Sequence, residues 1–228
     1  MYKIAIDGPS GSGKSVMAKA VAKELNIIYV DTGALYRAIG LYIFRAGIDP
    51  SNEGEVVACL PEIKLELTQG PDGQIVLLNG ENVNSDIRLP EISMYASRVS
   101  AIPKVRVFLL DIQRSTALKN NVVMDGRDIG TVIFPDADVK IFLFASNEIR
   151  AERRFRELTE KGVETTYEEV LSDMVKRDEN DRTRKVAPAL PAEDAVMLDS
   201  SEMTLDETLN EIIRIIKDGI PSAEKKGL

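Results

Sequence analysis

The chain has 228 residues, of which 44% are hydrophobic and 29% charged, and this predicts one globular core with smaller attachments rather than two large domains. The formal net charge of −8 gives no general attraction to nucleic acid or anionic membranes, so any bound phosphate must be held by local groups. Histidine is absent from the sequence, which excludes a Ser-His-Asp triad, an imidazole base and a histidine-ligated zinc site.

The first residues and the cysteine content indicate the compartment. MYKIAIDG lacks the basic and long apolar regions of a secretory signal, and no stretch of the sequence is apolar over the length of a membrane span. The single Cys59 cannot form an internal disulfide, and its apolar neighbours predict a buried thiol. We therefore expect a cytoplasmic protein without nucleic-acid or membrane partners. A monomer is the default expectation, because no heptad seam is present.

Strands and helices alternate in the first part of the chain. KIAID at 3–7 predicts a buried strand, KSVMAKAVAKEL at 14–25 a helix, and the β-branched IIYV at 27–30 a second strand. The next helix, ALYRAIGLYIFRAG, can be closed by Gly47. This alternation predicts a parallel sheet that is covered by helices on both faces.

The middle of the chain changes character and predicts a small antiparallel insert at 62–86. Its strands are KLEL near 64–67, QIVLLNG at 74–80 and the following ENV, and PDG at 71–73 is a turn signal. Helical patterns return in LPEISMYASRVSA and in PKVRVFLLDIQRSTALKN, where Pro103 can take the first helical position.

The last part of the chain again alternates between strands and helices. The predicted strands are VVMDG at 122–126, VKIFLF at 139–144 and VMLDS at 196–200. The predicted helices are the charged NEIRAERRFRELTEKG at 147–162, one that opens with a Thr166–Glu169 capping box, and an amphipathic one from Thr204 to Gly219. The final residues, PSAEKKGL, are expected to be frayed.

The segment GPSGSGKS at 8–15 fits the phosphate-loop pattern G-x-x-x-x-G-K-[ST] and stands between a predicted strand and a predicted helix. Its glycines let successive backbone N–H groups face the phosphates of ATP. Lys14 can reach the β- and γ-phosphates, and the hydroxyl of Ser15 is placed to contact Mg²⁺ or its waters. The residues expected to bind Mg-ATP are Gly8, Pro9, Ser10, Gly11, Ser12, Gly13, Lys14, Ser15 and Val16.

The rest of the sequence favours a small-molecule kinase. A GTPase needs an N-K-x-D segment, which the chain lacks. A kinase needs arginines that bind the acceptor phosphate, and three segments at predicted strand ends or nearby supply them: DTGALYR at 31–37, DGRDIGT at 125–131 and RDENDRTR at 177–184. Arg37 and Arg127 each follow a strand by a few residues. Either arginine could instead pair with a surface carboxylate.

In this order, GPSGSGKS, DTGALYR, MDGRDIGT and KRDENDRTR followed by KVAPALPA resemble the bacterial cytidylate kinases of the nucleoside monophosphate kinase group, over nearly the whole chain. The resemblance implies an α/β fold of the P-loop NTPase type, with a helix-flanked parallel sheet, a small antiparallel β insert in the acceptor-binding domain and a helical lid. The implied divisions are a core of 1–36, 102–146 and 186–220, an acceptor domain of 37–101, a lid of 147–185 and a tail of 221–228.

The resemblance also implies the reaction, in which the γ-phosphoryl group of Mg-ATP passes to CMP or dCMP in pyrimidine nucleotide metabolism. The implied catalytic residues are Lys14, Arg127 and Arg184. The implied acceptor-binding residues are Thr32, Arg37, Arg127 and Arg184 at the phosphate, Ser97, Arg106 and Asp128 at the cytosine ring, and Arg177 and Asp181 at the sugar, and Tyr36 is also counted among them. Relatives usually have serine where this chain has Thr32, and the hydroxyl is kept.

The chemistry of two residues agrees with the base that the resemblance implies. Asp128 can accept a hydrogen bond from the exocyclic amine of cytosine, and Arg106 can donate to its carbonyl oxygen and ring nitrogen. Uracil carries a carbonyl in place of that amine, so the carboxylate would face another acceptor and would discriminate against uracil.

The charged helix with Arg150, Arg153, Arg154 and Arg156 resembles the lid that closes over ATP in these kinases. We expect at least one of these arginines to meet the transferring phosphoryl group, and Arg154 is assigned to ATP. The alternative is a solvated basic face that pairs with Glu152, Glu157 and Glu160. One departure concerns the phosphate loop: relatives often read G-K-G-[TS], whereas this chain has Ser15 and Val16 after the lysine, so the metal contact depends on Ser15.

Two other functions remain open on the sequence. One is a related P-loop kinase that acts on uridylate, thymidylate or a non-nucleotide alcohol. The other is a regulatory protein that binds ATP without acceptor-dependent release of ADP.

Overall fold

The computed structural model describes residues 1–70 and 73–220. The chain divides into two compact units, Met1–Ile28 with Asn121–Leu228, and Tyr29–Asn120. Two residues of the predicted PDG turn and the tail predicted to be frayed, 221–228, lie outside the described residues. The functional division into core, acceptor domain and lid stays a prediction.

The regular elements of the described residues follow the predicted order closely. The strands are β1 (Lys3–Asp7), β2 (Ile28–Asp31), β3 (Leu65–Gly70), β4 (Gly73–Leu78), β5 (Glu81–Asn82), β6 (Val122–Gly126), β7 (Val139–Phe144) and β8 (Val196–Asp199). The helices are α1 (Lys14–Glu24), α2 (Thr32–Arg45), α3 (Glu53–Cys59), α4 (Pro90–Val99), α5 (Pro103–Ser115), α6 (Asn147–Glu160), α7 (Tyr167–Thr183) and α8 (Leu205–Gly219).

The central sheet has five strands in the order β2-β6-β1-β7-β8. The pairs of β1 with β6, β1 with β7 and β7 with β8 are parallel, and Ile4 stands opposite both Val123 and Val139. Ile4 and Ile6 are fully buried, as expected for a strand covered on both faces. The prediction of a helix-flanked parallel sheet is therefore confirmed, and the phosphate loop leaves the carboxyl end of its middle strand.

Two capping boxes begin helices of the first unit, as the sequence predicts. The Thr166 hydroxyl accepts from the backbone N–H of Glu169, whose carboxylate accepts from the N–H of Thr166 in return, and α7 follows. Thr204 and Glu207 make the same reciprocal pair before α8. The helix α8 ends at Gly219, where a β-carbon would lie only 2.9 Å from a methyl carbon of Val139.

The second unit contains the predicted antiparallel insert, a sheet of β3, β4 and β5. Leu65 and Leu78 pair across the first two strands and are both buried. The helices α2 and α4 pack closely, since a β-carbon on Gly40 would lie 2.9 Å from the backbone nitrogen of Ala96. The antiparallel insert is therefore confirmed.

The helix α3 was not predicted, and it corrects the expectation for Cys59. Cys59 is the last residue of this short helix and is only half-buried, because Val56 and Leu60 fill the buried side. Among the described residues, no helix combines the length and the apolar character that crossing a membrane requires.

Candidate functional site

The phosphate loop approaches its neighbours too closely for side chains at two of its glycines. Gly11 has φ of +72°, and a β-carbon there would lie 2.8 Å from the terminal carbon of Met174 on α7. A β-carbon on Gly8 would lie 2.0 Å from the carbonyl oxygen of Leu143 on β7. These contacts keep the backbone of the loop bare, as phosphate binding through N–H groups requires. The buried hydroxyl of Ser12 has no hydrogen-bond partner among the described residues.

Lys14 is the first residue of α1 and is almost completely buried. Its Nζ donates a hydrogen bond of 2.7 Å to the carbonyl oxygen of Pro9. Burial lowers the pKa of Lys14 well below its ordinary value, and the charges of Arg127 and Arg177 lower it further, while Asp125 opposes them. The positive charges of Arg127 and Arg177 therefore disfavour the protonated form of Lys14, and an anion bound among the three side chains would relieve this repulsion.

Ser15 and Asp125 form a pair of oxygen donors beside the loop. The Ser15 hydroxyl donates to Oδ2 of Asp125 at 2.6 Å, and Asp125 lies in β6, next to β1. Mg²⁺ prefers such oxygen ligands, so these two groups fit the ion. Within the described ranges, no cluster of three or more acidic, cysteine or histidine side chains is arranged to bind a metal ion. Water and phosphate would therefore complete the coordination of Mg²⁺ at Ser15 and Asp125.

The sequence predicts only Ser15 as a metal ligand, and the structure adds Asp125 as a candidate. The available signal was an acidic residue at the end of a buried strand, Val122–Gly126. In P-loop enzymes, an aspartate on a neighbouring strand commonly supports the ion that the loop hydroxyl contacts. The pairing with β1 places Asp125 opposite Ile6, one residue before that strand ends.

Two residues of the charged helices hold the backbone of Ser10 in the phosphate loop. The N–H of Ser10 donates to Asp178 on α7 at 2.9 Å, and Arg150 on α6 donates to its carbonyl oxygen at 2.6 Å. Arg150 also forms an ion pair with Asp178, and its side chain is only 4% exposed. Arg150 therefore supports the loop. Arg153 donates to the carbonyl oxygen of Ser200 at 2.8 Å and is likewise directed inward.

The other two arginines of α6 lie nearer the solvent. Arg154 pairs with Glu157 at 2.7 Å, with 38% and 45% of their side chains exposed. Arg156 pairs with Glu152 at 3.3 Å. Glu152 and Glu157 thus form ion pairs, as the alternative of a solvated basic face expects. The role of Arg154 at ATP stays a prediction.

Four of the predicted acceptor residues form one charged network in the first unit. Nε of Arg127 donates to Asp181 at 3.0 Å, and Arg184 lies 3.6 Å from the other carboxylate oxygen of Asp181. Arg184 also lies 3.5 Å from Asp128. Asp128 and Asp181 are both buried. The structure therefore brings Arg127, Asp128, Asp181 and Arg184 together, and the charge of the fifth, Arg177, acts on Lys14.

Asp7, the last residue of β1, was missed by the sequence analysis. Its two carboxylate oxygens accept hydrogen bonds from the backbone N–H groups of Ile129 and Gly130, at 2.9 and 2.8 Å. Burial and, to a smaller extent, the charge of Asp128 raise the pKa of Asp7 to about 6, although the two backbone hydrogen bonds and Lys14 oppose this rise. An isolated aspartate after a strand gives no local sign of partners more than a hundred residues away.

In the second unit, Asp31 joins two arginines. Its Oδ2 accepts from Arg37 at 2.9 Å and from Arg88 at 2.8 Å, while Oδ1 caps α2 through the N–H of Ala34 at 2.9 Å. Burial opposes ionisation, yet the two guanidinium charges lower the pKa of Asp31 below its usual value. Because Asp31 is the cap, α2 begins at Thr32, two residues earlier than predicted, and Thr32 is buried. Arg88 was not among the predicted site residues.

The remaining predicted residues of the second unit lie near one another. The Arg106 guanidinium stands over the ring of Tyr36, 5.3 Å from its centre, and donates to the carbonyl oxygen of Ser100 at 3.0 Å. The Ser100 hydroxyl in turn donates to the carbonyl oxygen of Ser97 at 2.8 Å. The guanidinium of Arg106 is therefore held by the Tyr36 ring against its planar face and by the Ser100 carbonyl, which accepts one of its N–H groups.

A family model and curated relatives match this chain over nearly its whole length. The family model described as cytidylate kinase matches residues 4–218. A cytidylate kinase of Thermosipho melanesiensis is 46% identical over 216 residues, which are 95% of this chain and 97% of that protein. A cytidylate kinase of Caldicellulosiruptor saccharolyticus is 47% identical over 93% of this chain and 94% of its own length.

One solved structure confirms the fold alone. An uncharacterized protein from Eubacterium ventriosum superposes with a TM-score of 0.54 at 14% identity, over 95% of this chain and 99% of that one. The family match and the closely similar relatives together cover nearly all of the sequence. The chain belongs to the cytidylate kinase family.

Proposed function

We propose that this protein transfers the γ-phosphoryl group of ATP to CMP or dCMP and releases ADP with CDP or dCDP. The observation that carries the proposal is the buried Lys14, whose pKa is lowered by burial and by the charges of Arg127 and Arg177. Phosphate groups relieve that repulsion, and both substrates supply them. Relatives named cytidylate kinase, at 46% and 47% identity, support cytidylate as the acceptor.

ATP is assigned to the phosphate loop. The backbone N–H groups of 8–16 would bind its phosphates, Lys14 would leave the Pro9 carbonyl to contact the β- and γ-phosphates, and Arg154 would close over the nucleotide. Ser15 and Asp125 would hold magnesium. When bound, that ion neutralises charge on the β- and γ-phosphates.

The acceptor is assigned to the residues that the resemblance implies. Thr32, Arg37, Arg127 and Arg184 would bind its phosphate, and Tyr36 is also assigned to the acceptor. The cytosine ring is read by Ser97, Arg106 and Asp128, and the sugar hydroxyls by Arg177 and Asp181. Support comes from the charged network of the first unit and from the buried Asp31 that holds Arg37.

The chemical step needs positioning more than proton transfer. A phosphate oxygen of the acceptor attacks the γ-phosphorus in line, and the bond from that phosphorus to the bridging oxygen of ADP breaks. The attacking phosphate, whose second pKa is about 6, is already ionised near neutral pH, so no general base is required. Lys14, Arg127 and Arg184 offset the charge of the transferring group. Closure of 147–185 and 37–101 would exclude water and prevent hydrolysis of ATP.

The decisive experiment measures ADP release from Mg-ATP when CMP, dCMP, UMP, dTMP or AMP is added in turn. The proposal requires strong stimulation by CMP and dCMP, with the preference for them over UMP lost in Asp128→Ala. Stimulation mainly by another acceptor would reassign the substrate. ATP binding without stimulation by any of them would favour the regulatory alternative. The place in pyrimidine metabolism, the cytoplasmic location and the monomeric state stay predictions.

A further inference from the structure

Asp7 makes an unusual pair of contacts for a residue outside the phosphate loop and the acceptor motifs. It is 5% exposed and ends β1, the strand that leads into the loop. Oδ1 and Oδ2 each accept from a different, consecutive backbone N–H, those of Ile129 and Gly130. A buried carboxylate is costly, and charge-assisted hydrogen bonds to two amides offset much of that cost.

The contacts of Asp7 fall on the two residues that follow Asp128. On the other side, the carbonyl oxygen of Asp128 accepts from the N–H groups of Val132 and Ile133, at 2.9 and 3.2 Å, in a single π-helical turn. The backbone after Asp128 is therefore held by Asp7 and by the turn at once. These hydrogen bonds fix the peptide plane between Asp128 and Ile129. The Asp128 carboxylate can then change direction only by changing its side-chain rotamer.

The space around the turn is also restricted. A β-carbon on Gly130 would lie 3.1 Å from a side-chain carbon of Lys140 and 3.5 Å from Oδ2 of Asp7. The turn thus sits directly against Asp7 and the Lys140 stem. Lys140 is fixed in turn, because its Nζ donates to both carboxylate oxygens of Asp194 at 2.9 and 2.8 Å. The segment after Asp128 therefore has little freedom to shift away from Asp7.

We propose that Asp7 is a positioning residue for base selection, which holds the Asp128 carboxylate at the cytosine amine through its two backbone hydrogen bonds. This inference rests on the proposed role of Asp128. The carboxyl end of β1 would then position two parts of the site, namely the phosphate loop that follows it and, through Asp7, the base-binding residue Asp128. Loss of Asp7 then loosens the choice of acceptor base and leaves ATP binding intact.

The test compares Asp7→Asn with Asp138→Asn. Asp138 is a matched control, because its carboxylate accepts the backbone N–H of Lys3 at 2.8 Å at the opposite end of β1. In Asp7→Asn, the amide NH₂ cannot accept, so one of the two N–H groups loses its partner. The ratio of kcat/KM for CMP to that for UMP is measured in each, with the KM for ATP and the melting temperature.

Asp7→Asn is expected to lower the CMP-to-UMP ratio by about 10- to 100-fold, the usual effect of losing a supporting partner behind a ligand-binding group. Its KM for ATP stays within about twofold of the parent value, and Asp138→Asn keeps the parent ratio. A merely structural role would instead lower stability and leave the ratio unchanged. A folded Asp7→Asn with the parent ratio would overturn the inference.

Two further measurements separate the outcomes. If Asp128→Asn keeps the preference for CMP, the proposed role of Asp128 fails; if it loses the preference and Asp7→Asn does not, only the inference about Asp7 fails. Hydrogen exchange on the unaltered protein covers the case in which Asp7→Asn does not fold. The amides of Ile129 and Gly130 should then be as protected as those of β1, and rapid exchange at both would refute the positioning role.

Discussion

The hydroxyl of Ser15 and Oδ2 of Asp125 lie 2.6 Å apart, and this hydrogen bond joins the start of α1, at the end of the phosphate loop, to β6. A second serine–aspartate pair, Ser201 with Asp199 at the end of β8, has the same 2.6 Å separation between hydroxyl and carboxylate oxygens. The two pairs thus share their local chemistry and differ in location. That similarity provides a control for the metal assignment.

Asp125→Asn is expected to weaken the response of the kinase to magnesium. Removing the negative charge leaves Ser15 with a weaker acceptor and the ion with one fewer anionic ligand, so the Mg²⁺ concentration for half-maximal rate should rise about 10- to 100-fold. Rates are measured against free Mg²⁺ at fixed ATP and CMP. Asp199→Asn should leave the curve where it is, and an unchanged curve for Asp125→Asn would remove Asp125 from the site.

Binding of ATP is expected to raise the proton occupancy of Lys14. Burial and the neighbouring arginines hold its pKa well below the ordinary value in the free protein, and phosphate anions would raise it again. Above about pH 7, where the terminal phosphate itself is ionised, ATP binding should therefore take up protons. Calorimetry in buffers of different ionisation enthalpy measures the uptake. Lys14→Arg, which cannot lose its charge, should show none; equal uptake in that variant would assign the proton elsewhere.

Arg37→Gln is expected to raise the KM for CMP about 30-fold, which corresponds to the roughly 2 kcal/mol of a hydrogen bond to a charged group. The KM for UMP should rise equally, because the phosphate is common to both acceptors, and the KM for ATP should not change. Arg45→Gln is the control on the same helix, since Arg45 pairs with the exposed Glu81 and Asp86. A selective effect on CMP alone would contradict a phosphate contact.

The titration of Asp7 predicts how stability depends on pH. Its pKa is about 6 in the folded protein and 3.8 ordinarily, so between these values the folded state binds more protons than the unfolded state. Stability from this residue is therefore present at low pH and is lost as the pH rises through about 6. Between pH 4 and 7 the difference amounts to about 2.4 kcal/mol, out of a total of about 3 kcal/mol at 1.36 kcal/mol for each pH unit between the two pKa values.

That dependence is isolated by subtracting the unfolding free energies of Asp7→Asn from those of the parent protein, in denaturant titrations from pH 4 to 7. The parent should gain relative to the variant as the pH falls. A difference that stays constant over the range would mean that Asp7 keeps an ordinary pKa when folded.

The order of elements could be predicted because each has a local signal. Alternating apolar runs define β1, β6 and β7, and the capping boxes at Thr166 and Thr204 begin helices as expected. The first turn of α2 could not be placed, since Asp31 ends a strand and caps a helix at once. Asp31 therefore fits both a strand end and a helix cap, and the neighbouring residues do not show at which residue the helix begins.

The candidate site was predicted where residues belong to a motif and missed where a contact spans the chain. Arg127, Asp128, Asp181 and Arg184 were named and lie in one network, although their roles stay predictions. Asp7 was missed because its partners lie 122 and 123 residues away. Arg150 was grouped with the other arginines of the lid helix, yet it is buried, because helical spacing alone does not tell which side of a charged helix faces inward.

The two contacts on Ser10 limit how the pair of helices α6 and α7 can move. Arg150 on α6 and Asp178 on α7 hold the two consecutive peptide groups on either side of Ser10 in the phosphate loop, and Met174 lies against Gly11. A closing motion that carried these residues along would distort the loop that it is meant to cover. If the hairpin closes over ATP as proposed, its pivot is therefore expected beyond Arg150 on one helix and before Met174 on the other, so that only the far end swings while the base stays attached to the phosphate loop.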